Sequence, residues 1–371
     1  MEAKKLSVLI AGCGRVSEKH AKAIKTLSDR YKLIGACDVN ENAARAMIAN
    51  CGKAGADAKV YNDWKKAIDE LSPDVVAITL PSGMHYEVAT YAMEKGSNLL
   101  LEKPMAMSEA EAHAIYDISK KTKKKIAMGH IYRYLPVVKI LRDDIAKGVF
   151  GKVTHGSIYV RWGHGDDYYD SAAWRGTWKA DGGALMNQTI HAIDLLVWLM
   201  GTEPIEAQAM IAQRLRHIEA EDLGYAILRM EDGSLAHIEG TTATSPAEHS
   251  AEFSVFCENG QITMGLVSGK PHINIRDGAG KKLNFRYLRK QNKEGGLSSF
   301  KTALNPHLGI YKDLHDSIIN DKEPIASAYD GYSSVDTLMG IYKAALTGKA
   351  VELPLKESFS SLDMKDYFKD L

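Results

Sequence analysis

An apolar run, Ser7-Val-Leu-Ile-Ala11, feeds directly into Gly12-Cys-Gly14-Arg-Val-Ser17 and then into a helical stretch from Glu18 to Ile24. Few local patterns restrict a fold so tightly. Gly12 permits the tight turn from strand to helix. Gly14 lets a ligand approach the backbone at the helix N-terminus, where unpaired N–H groups and the helix dipole attract a pyrophosphate. Ser17 occupies the place of the motif's third glycine, a sterically mild departure. Asp38 closes the next apolar run, Leu33-Ile-Gly-Ala-Cys37, ~20 residues on from the motif. An acid at that point accepts hydrogen bonds from ribose hydroxyls and repels a 2′-phosphate. Gly12, Gly14, Arg15, Val16 and Asp38 are therefore expected to hold a dinucleotide, NAD in preference to NADP, with Arg45 a turn further on able to soften the preference. A plain surface-loop acid is the competing account of Asp38.

Two further apolar runs, Val75-Val-Ala-Ile-Thr79 and Asn98-Leu-Leu-Leu101, continue the alternation with helical stretches to about residue 130. Unbroken apolar runs suit parallel strands covered on both faces, so this part is expected to be a doubly wound Rossmann sheet. Lys95-Gly96 closes the helical segment that begins near His85, and Ser108-Glu-Ala-Glu111 has the form of a capping box. Beyond residue 150 the rhythm changes to strand-like segments: Val153 to Trp162, Gly224 to Met230, Ser234 to Thr241 and Ala251 to Cys257. Asp232-Gly233 and Asn259-Gly260 sit among them as hairpin turn signals, which predicts a large, mostly antiparallel open sheet. One helix, Ala184 to Met200, interrupts it, and two more, Pro306 to Asn320 and Gly331 to Leu346, close the chain. With 371 residues, more than one core is expected. We expect an α/β chain with a Rossmann domain over 1–128 and an α+β domain over 129–371 for substrate binding and oligomerisation.

Composition narrows the partners. Lys plus Arg and Asp plus Glu number 47 each, so no overall field favours nucleic acid or an anionic membrane. The four cysteines form no C-x-x-C pair and no framework spacing, which argues against a zinc site or a disulfide scaffold and fits a cytoplasmic chain with no metal. The charged start, Met1-Glu-Ala-Lys-Lys, precedes an apolar run too short for a signal segment, and no apolar run has membrane-spanning length.

Wound at ~100° per residue, the helix Ala184 to Met200 is apolar on nearly every side. Asn187, His191 and Asp194 share one narrow stripe, extended by Trp198. Buried polar groups need partners or a cavity. The stripe is either a satisfied internal network or the wall of a polar site. In the second case His191 is the candidate general base, since an imidazole with an unperturbed pKa of ~6.5 can accept a hydroxyl proton.

Thr79-Leu-Pro-Ser-Gly-Met-His85, Leu101-Glu-Lys-Pro104, the Gly12 to His20 segment and Asp181-Gly-Gly-Ala-Leu-Met-Asn-Gln-Thr-Ile-His-Ala-Ile-Asp194 together resemble the glucose–fructose oxidoreductase, inositol dehydrogenase and rhizopine-catabolism (Gfo/Idh/MocA) family over essentially the whole chain. The resemblance implies a sugar or polyol dehydrogenase, assembled as a homodimer or homotetramer through the open sheet. It places Lys103 between nicotinamide and substrate, Pro104 after a cis peptide, and Glu102, His85 and Pro81 along the cofactor cleft. Lys103, cationic or neutralised by burial, would hydrogen-bond the reacting oxygen. Inositol dehydrogenase-like members carry Asp where this chain has Asn187, so inositol itself is not the expected substrate; the Thr79-Leu-Pro-Ser-Gly stretch resembles the branch that acts on UDP-sugar uronates.

Arg133, Trp174 and Arg175, from two aromatic and arginine-rich stretches ahead of the helix, suit stacking on sugar faces and hydrogen-bonding to hydroxyls or an acid group. Core aromatics and surface arginines are the equally weighted account of each. The leading expectation is hydride transfer between NAD and a secondary alcohol of a sugar, cyclic polyol or sugar derivative. A glycoside hydrolase working by transient oxidation and elimination, and a non-catalytic sugar-sensing regulator, are the alternatives.

Overall fold

The computed structural model describes residues 4–369, apart from the side chains of residues 294–295 and 297–300. Met1 to Ala3, part of the charged start, lie outside the described residues. The chain divides into two compact units. The first takes residues 1–106, 111–135 and 297–332, and the second takes 107–110, 136–296 and 333–371.

In the first unit, strands β1 (Leu6–Ala11), β2 (Tyr31–Cys37), β3 (Lys59–Tyr61), β4 (Val75–Ile78), β5 (Asn98–Leu101) and β6 (Ile126–Met128) alternate with helices α1 (Ser17–Thr26), α2 (Glu41–Asn50), α3 (Trp64–Leu71), α4 (His85–Glu94) and, from Glu111 on, α5 (Glu109–Thr122). All strand pairs are parallel, in the order β3-β2-β1-β4-β5-β6. Val8 to Ala11, Val75 to Ile78 and Leu99 to Leu101 are fully buried, as continuous apolar runs between two helical layers must be. Chain order reverses between β1 and β4, and in such sheets ligands bind in the crevice beyond the carboxyl ends of the strands at that point.

The second unit opens with helix α6 (Pro136–Ala146). It then builds an eight-stranded sheet from β7 (Val153–Trp162), β8 (Pro204–Ala212), β9 (Leu223–Met230), β10 (Leu235–Thr241), β11 (His249–Cys257), β12 (Gly260–Val267), β13 (Lys270–Asp277) and β14 (Val351–Glu352). The order is β13-β12-β11-β7-β10-β9-β8-β14, antiparallel except between β7 and β10. A short helix α7 (Asp166–Asp170) and the helix α8 (Ile190–Met200) lie between β7 and β8.

Glycines in three strands make room for α8 and the turn before it. A side chain at Gly156 would meet Leu196 and Met200, while one at Gly224 or Gly240, which pair directly across β9 and β10, would meet Leu185 or Thr189. Close approach here is what a strand glycine commonly serves.

Two expectations change. Between β11 and β12, Cys257 pairs with Gly260, so the turn residues are Glu258 and Asn259 rather than Asn259-Gly260. Gly260 is needed because a side chain would press on the Arg276 carbonyl and the Phe150 ring. Ala184 to Met200 is not one regular helix either, for Leu185–Thr189 form a π-helical turn ahead of α8. Among the described residues no helix is long and apolar enough to cross a membrane.

Candidate active site

At the reversal point Gly12 adopts φ +95°, a conformation glycine tolerates and other residues resist. Any Cβ there would also collide with the Thr79 carbonyl, 2.6 Å away. The Thr79 hydroxyl donates back to the Gly12 carbonyl at 2.5 Å, tying the ends of β1 and β4 together. Gly14 faces open space, with nothing within 4 Å of a built Cβ, and Arg15 is exposed beside it. Ser17 begins α1 directly after Val16, and its hydroxyl donates to the Gly14 carbonyl at 2.6 Å. The serine at the third motif position therefore stiffens the loop rather than blocking it.

Asp38 is fixed by two backbone donors, Cys13 N–H at 2.7 Å and Asn40 N–H at 2.8 Å. Arg45 turns instead to Glu41, at 3.2 Å on the surface of α2. An open glycine cradle at a helix start, with an immobilised carboxylate across from it, fits a dinucleotide.

Around Lys103 the first unit is heavily braced. The Lys103–Pro104 peptide is cis and Lys103 is half-buried. His85 is fully buried, its Nδ1 2.7 Å from the Pro104 carbonyl and its Nε2 3.0 Å from the Leu80 carbonyl, so it clamps the loop after β4, which carries Pro81, to the loop after β5. Burial pushes the His85 pKa down, against the pull of the two carbonyls.

Glu102 points the other way, into a buried cluster. Its Oε1 accepts from His20 Nε2 and His307 Nε2, each at 3.1 Å, and Tyr311 Oη lies 3.1 Å from His20 Nδ1. Burial opposes ionisation of Glu102, but the two imidazoles outweigh it and hold its carboxyl well below the usual range. Three ligand-type atoms thus lie within 4.8 Å of one another, at separations that direct hydrogen bonds already satisfy. The sequence reading missed His20 and His307 as Glu102's partners, because they stand 82 and 205 residues from it.

In the second unit, Asn187, His191 and Trp198 are partly exposed and Asp194 is buried. Asn187 belongs to the π turn, which inserts about one residue into the helical ladder and rotates what precedes it relative to α8. Its amide donates to Asp181 Oδ1 at 2.5 Å, while Asp181 Oδ2 accepts from Gly176 N–H at 2.9 Å. Asp181, another residue the sequence reading did not single out for a role, orients Asn187.

The aromatic stretch forms a ladder. His164 stacks on Tyr168 at 3.7 Å, and the Arg175 guanidinium lies over Tyr168 at 4.2 Å and over Trp174 at 4.7 Å. Arg133 differs from the expectation of a substrate contact. It is buried in the first unit, donating to Asp330 Oδ1 at 2.7 Å and to the Ile325 carbonyl at 3.1 Å.

A glycine turn at the reversal point of a doubly wound sheet, with its acid fixed at the end of β2, defines a dinucleotide-binding Rossmann fold. Residues 6–130 match the oxidoreductase family with an NAD-binding Rossmann fold. Residues 138–263 match the Gfo/Idh/MocA C-terminal domain, and the chain belongs to the Gfo/Idh/MocA family of NAD-binding oxidoreductases. It is 24% identical over 375 residues to D-glucoside 3-dehydrogenase of Escherichia coli strain K12, covering 95% of this chain and 99% of that protein. UDP-N-acetylglucosamine 3-dehydrogenase of Acidithiobacillus ferrooxidans is 25% identical, over 73% of this chain and 77% of its own. The crystal structure of the WlbA dehydrogenase from Bordetella pertussis, in complex with NADH and UDP-GlcNAcA, superposes with a TM-score of 0.85 at 28% identity, covering 96% of this chain and 100% of that one.

Proposed function

We propose that the chain is an NAD-dependent dehydrogenase of a ring hydroxyl on a sugar or sugar derivative, with a UDP-sugar uronate the first substrate to try. The observation that carries this reading is the full-length likeness to WlbA, whose crystals hold NADH and UDP-GlcNAcA. NAD, when bound, supplies the hydride acceptor. We assign cofactor binding to residues 1–128: Gly12, Gly14, Arg15 and Val16 receive the pyrophosphate, Asp38 the adenosine ribose, and Pro81, His85 and Glu102 shape the loops along the cleft. Residues 129–371 are assigned to substrate. Lys103 holds the reacting oxygen, and His191 takes the hydroxyl proton. Asn187 and Asp194 flank that histidine on its helix, and the Trp174 and Arg175 ladder suits a sugar face or an anionic group. Arg133's buried ion pair supports a bracing part rather than a substrate contact.

Self-assembly as a homodimer or homotetramer belongs to the same reading. Met210, Tyr225, Ile227 and Leu235 stand exposed on one face of the open sheet, an apolar surface of the kind that copies of a chain cover. Light scattering reads the assembled mass directly.

The test is a panel of nucleotide sugars, free sugars, glycosides and cyclic polyols with NAD and NADP, read by nicotinamide absorbance. Reduction of NAD by at least one sugar is expected. Lys103→Ala and His191→Ala are each expected to lower turnover by about 10²-fold or more while NAD affinity holds. Survival of turnover in either variant removes that residue from its role, and no reduction with any substrate, together with no NAD binding, overturns the reading. Aglycone release without net NADH would identify the transient-oxidation hydrolase instead.

A further inference from the structure

The π turn that carries Asn187 is pinned from outside its own helix by one acid, Glu221. The Glu221 backbone carbonyl accepts from Ala184 N–H and its Oε1 from Leu185 N–H, both at 2.9 Å. These are two of the N–H groups that a helix start leaves without internal partners. Tyr342 adds its hydroxyl to the same Oε1 at 2.8 Å, and its ring is held edge-on by the fully buried Trp178 at 5.3 Å. Gly183 completes the joint, for a built Cβ would lie 2.1 Å from both the Glu221 carbonyl oxygen and Oε2. Thr189 closes the turn by donating its hydroxyl to the Ala184 carbonyl at 2.9 Å.

The chemistry of the joint points to a neutral acid. Glu221 is fully buried, and among the described residues Oε2 has no hydrogen-bond partner. Oε1 already receives two donors, so a proton belongs on Oε2. The groups that act most strongly on the carboxyl are the Leu185 N–H, the Tyr342 hydroxyl and its own backbone, with the Asp222 carboxylate acting through its field. Burial, reinforced by Asp222 and opposed by the hydrogen bonds, pushes the Glu221 carboxyl up to about 8.

We propose that Glu221 is a positioning residue for the reaction, its neutral carboxyl group locking the π turn and with it the face on which Asn187 and His191 stand. The proposal rests on the dehydrogenase reading above for its catalytic consequence, but not for its physics. A π turn interrupting an α-helix often marks a functional site, and here a side chain 36 residues away sets it.

Glu221→Gln keeps the shape and the two accepted hydrogen bonds of the neutral acid but cannot ionise; Glu221→Asp is one methylene too short to reach Leu185 N–H. The folded-state value lies above the ordinary 4.5, so the wild type loses stability as pH rises from about 4.5 to about 8. Measured on the NAD-loaded protein, the melting temperature of Glu221→Gln relative to wild type is expected to climb across that interval. Parallel curves for the two proteins would overturn the proposal whether or not any substrate turns over.

Where turnover is found, Glu221→Gln is expected to keep kcat near pH 7 and to lose an alkaline limb that the wild type shows near pH 8. Glu221→Asp is expected to lower kcat about tenfold or more, with the KM for NAD unchanged. Equal loss of kcat in the Gln and Asp variants would also overturn it. An inactive wild type with divergent melting curves would sink the dehydrogenase reading and leave the neutral acid standing.

Discussion

Each unit of this protein holds a buried glutamate, Glu102 in the first and Glu221 in the second, that accepts two hydrogen bonds on one carboxyl oxygen, yet the two have opposite protonation tendencies. Glu102, in the first unit, accepts from His20 and His307 on Oε1. Glu221, in the second, accepts from Leu185 N–H and the Tyr342 hydroxyl on Oε1. Glu102 is held well below the ordinary carboxylate range and Glu221 is pushed up to about 8. Burial drives both upward. What separates them is the donors: the hydrogen bonds from two imidazoles outweigh burial at Glu102, and those from an amide and a phenol do not at Glu221. Each glutamate also has a glycine against its Oε2: Gly129 beside Glu102, and Gly183 beside Glu221.

The same substitution at both sites separates the two glutamates most strongly. Glu102→Gln turns a doubly accepting anion into a neutral amide facing two imidazoles, and the expected loss is about 3–5 kcal/mol of unfolding free energy, read by urea denaturation. Glu221→Gln is expected to be neutral or stabilising above pH 7. Similar losses in the two variants would mean that both carboxyls are ionised. The facing glycines give a smaller effect. Gly183→Ala and Gly129→Ala are each expected to cost about 1–3 kcal/mol, Gly183→Ala the more. Its Cβ would meet a backbone carbonyl at 2.1 Å, whereas the nearest atom to a Cβ at Gly129 is the side-chain end of Glu102 at 2.7 Å. A reversed order would show that the α8 end of the sheet yields more readily than the histidine cluster.

These two glutamates also mark where the sequence stopped being informative. Runs buried on both faces, such as Val8 to Ala11 and Val75 to Ile78, announce themselves by composition, and Gly12 with Asp38 locates the reversal point. Strands β3 and β6 have only three residues each, too few for a periodic signal, and β8 is diluted by alanine and opens on Pro204. The Asn187, His191 and Asp194 stripe is legible because the segment from Ala184 to Met200 is otherwise largely apolar, but the π turn is not, since uniform winding at ~100° per residue assumes it away. Partners of the buried acids come from distant segments, His307 from 205 residues beyond Glu102 and Tyr342 from 121 beyond Glu221. The only local hint at Glu221 is an acid pair set between Ala220 and Leu223 at the mouth of a strand.

The smallest predicted effect tests the sign of the first unit's pH dependence. Burial pushes His20 below its ordinary 6.5, and Glu102 lies below its ordinary 4.5. For a histidine kept neutral by the fold, the unfolded chain takes up the proton first as pH falls through about 6.5, so stability is present above that pH and drains away below it. Glu102 adds its loss further down, as pH falls below about 4.5. The second unit's Glu221 acts in the opposite sense, losing stability as pH rises. His20→Gln places an amide N–H where the ring Nε2–H reaches Glu102 but removes the titration. Its melting temperature is therefore expected to fall less steeply than that of the wild type between pH 6.5 and 5, by roughly 2–4 °C over the interval. A steeper fall in the variant would mean that His20 is the charged partner of Glu102, and the contrast between the units would then rest on a buried ion pair rather than on neutral imidazole donors.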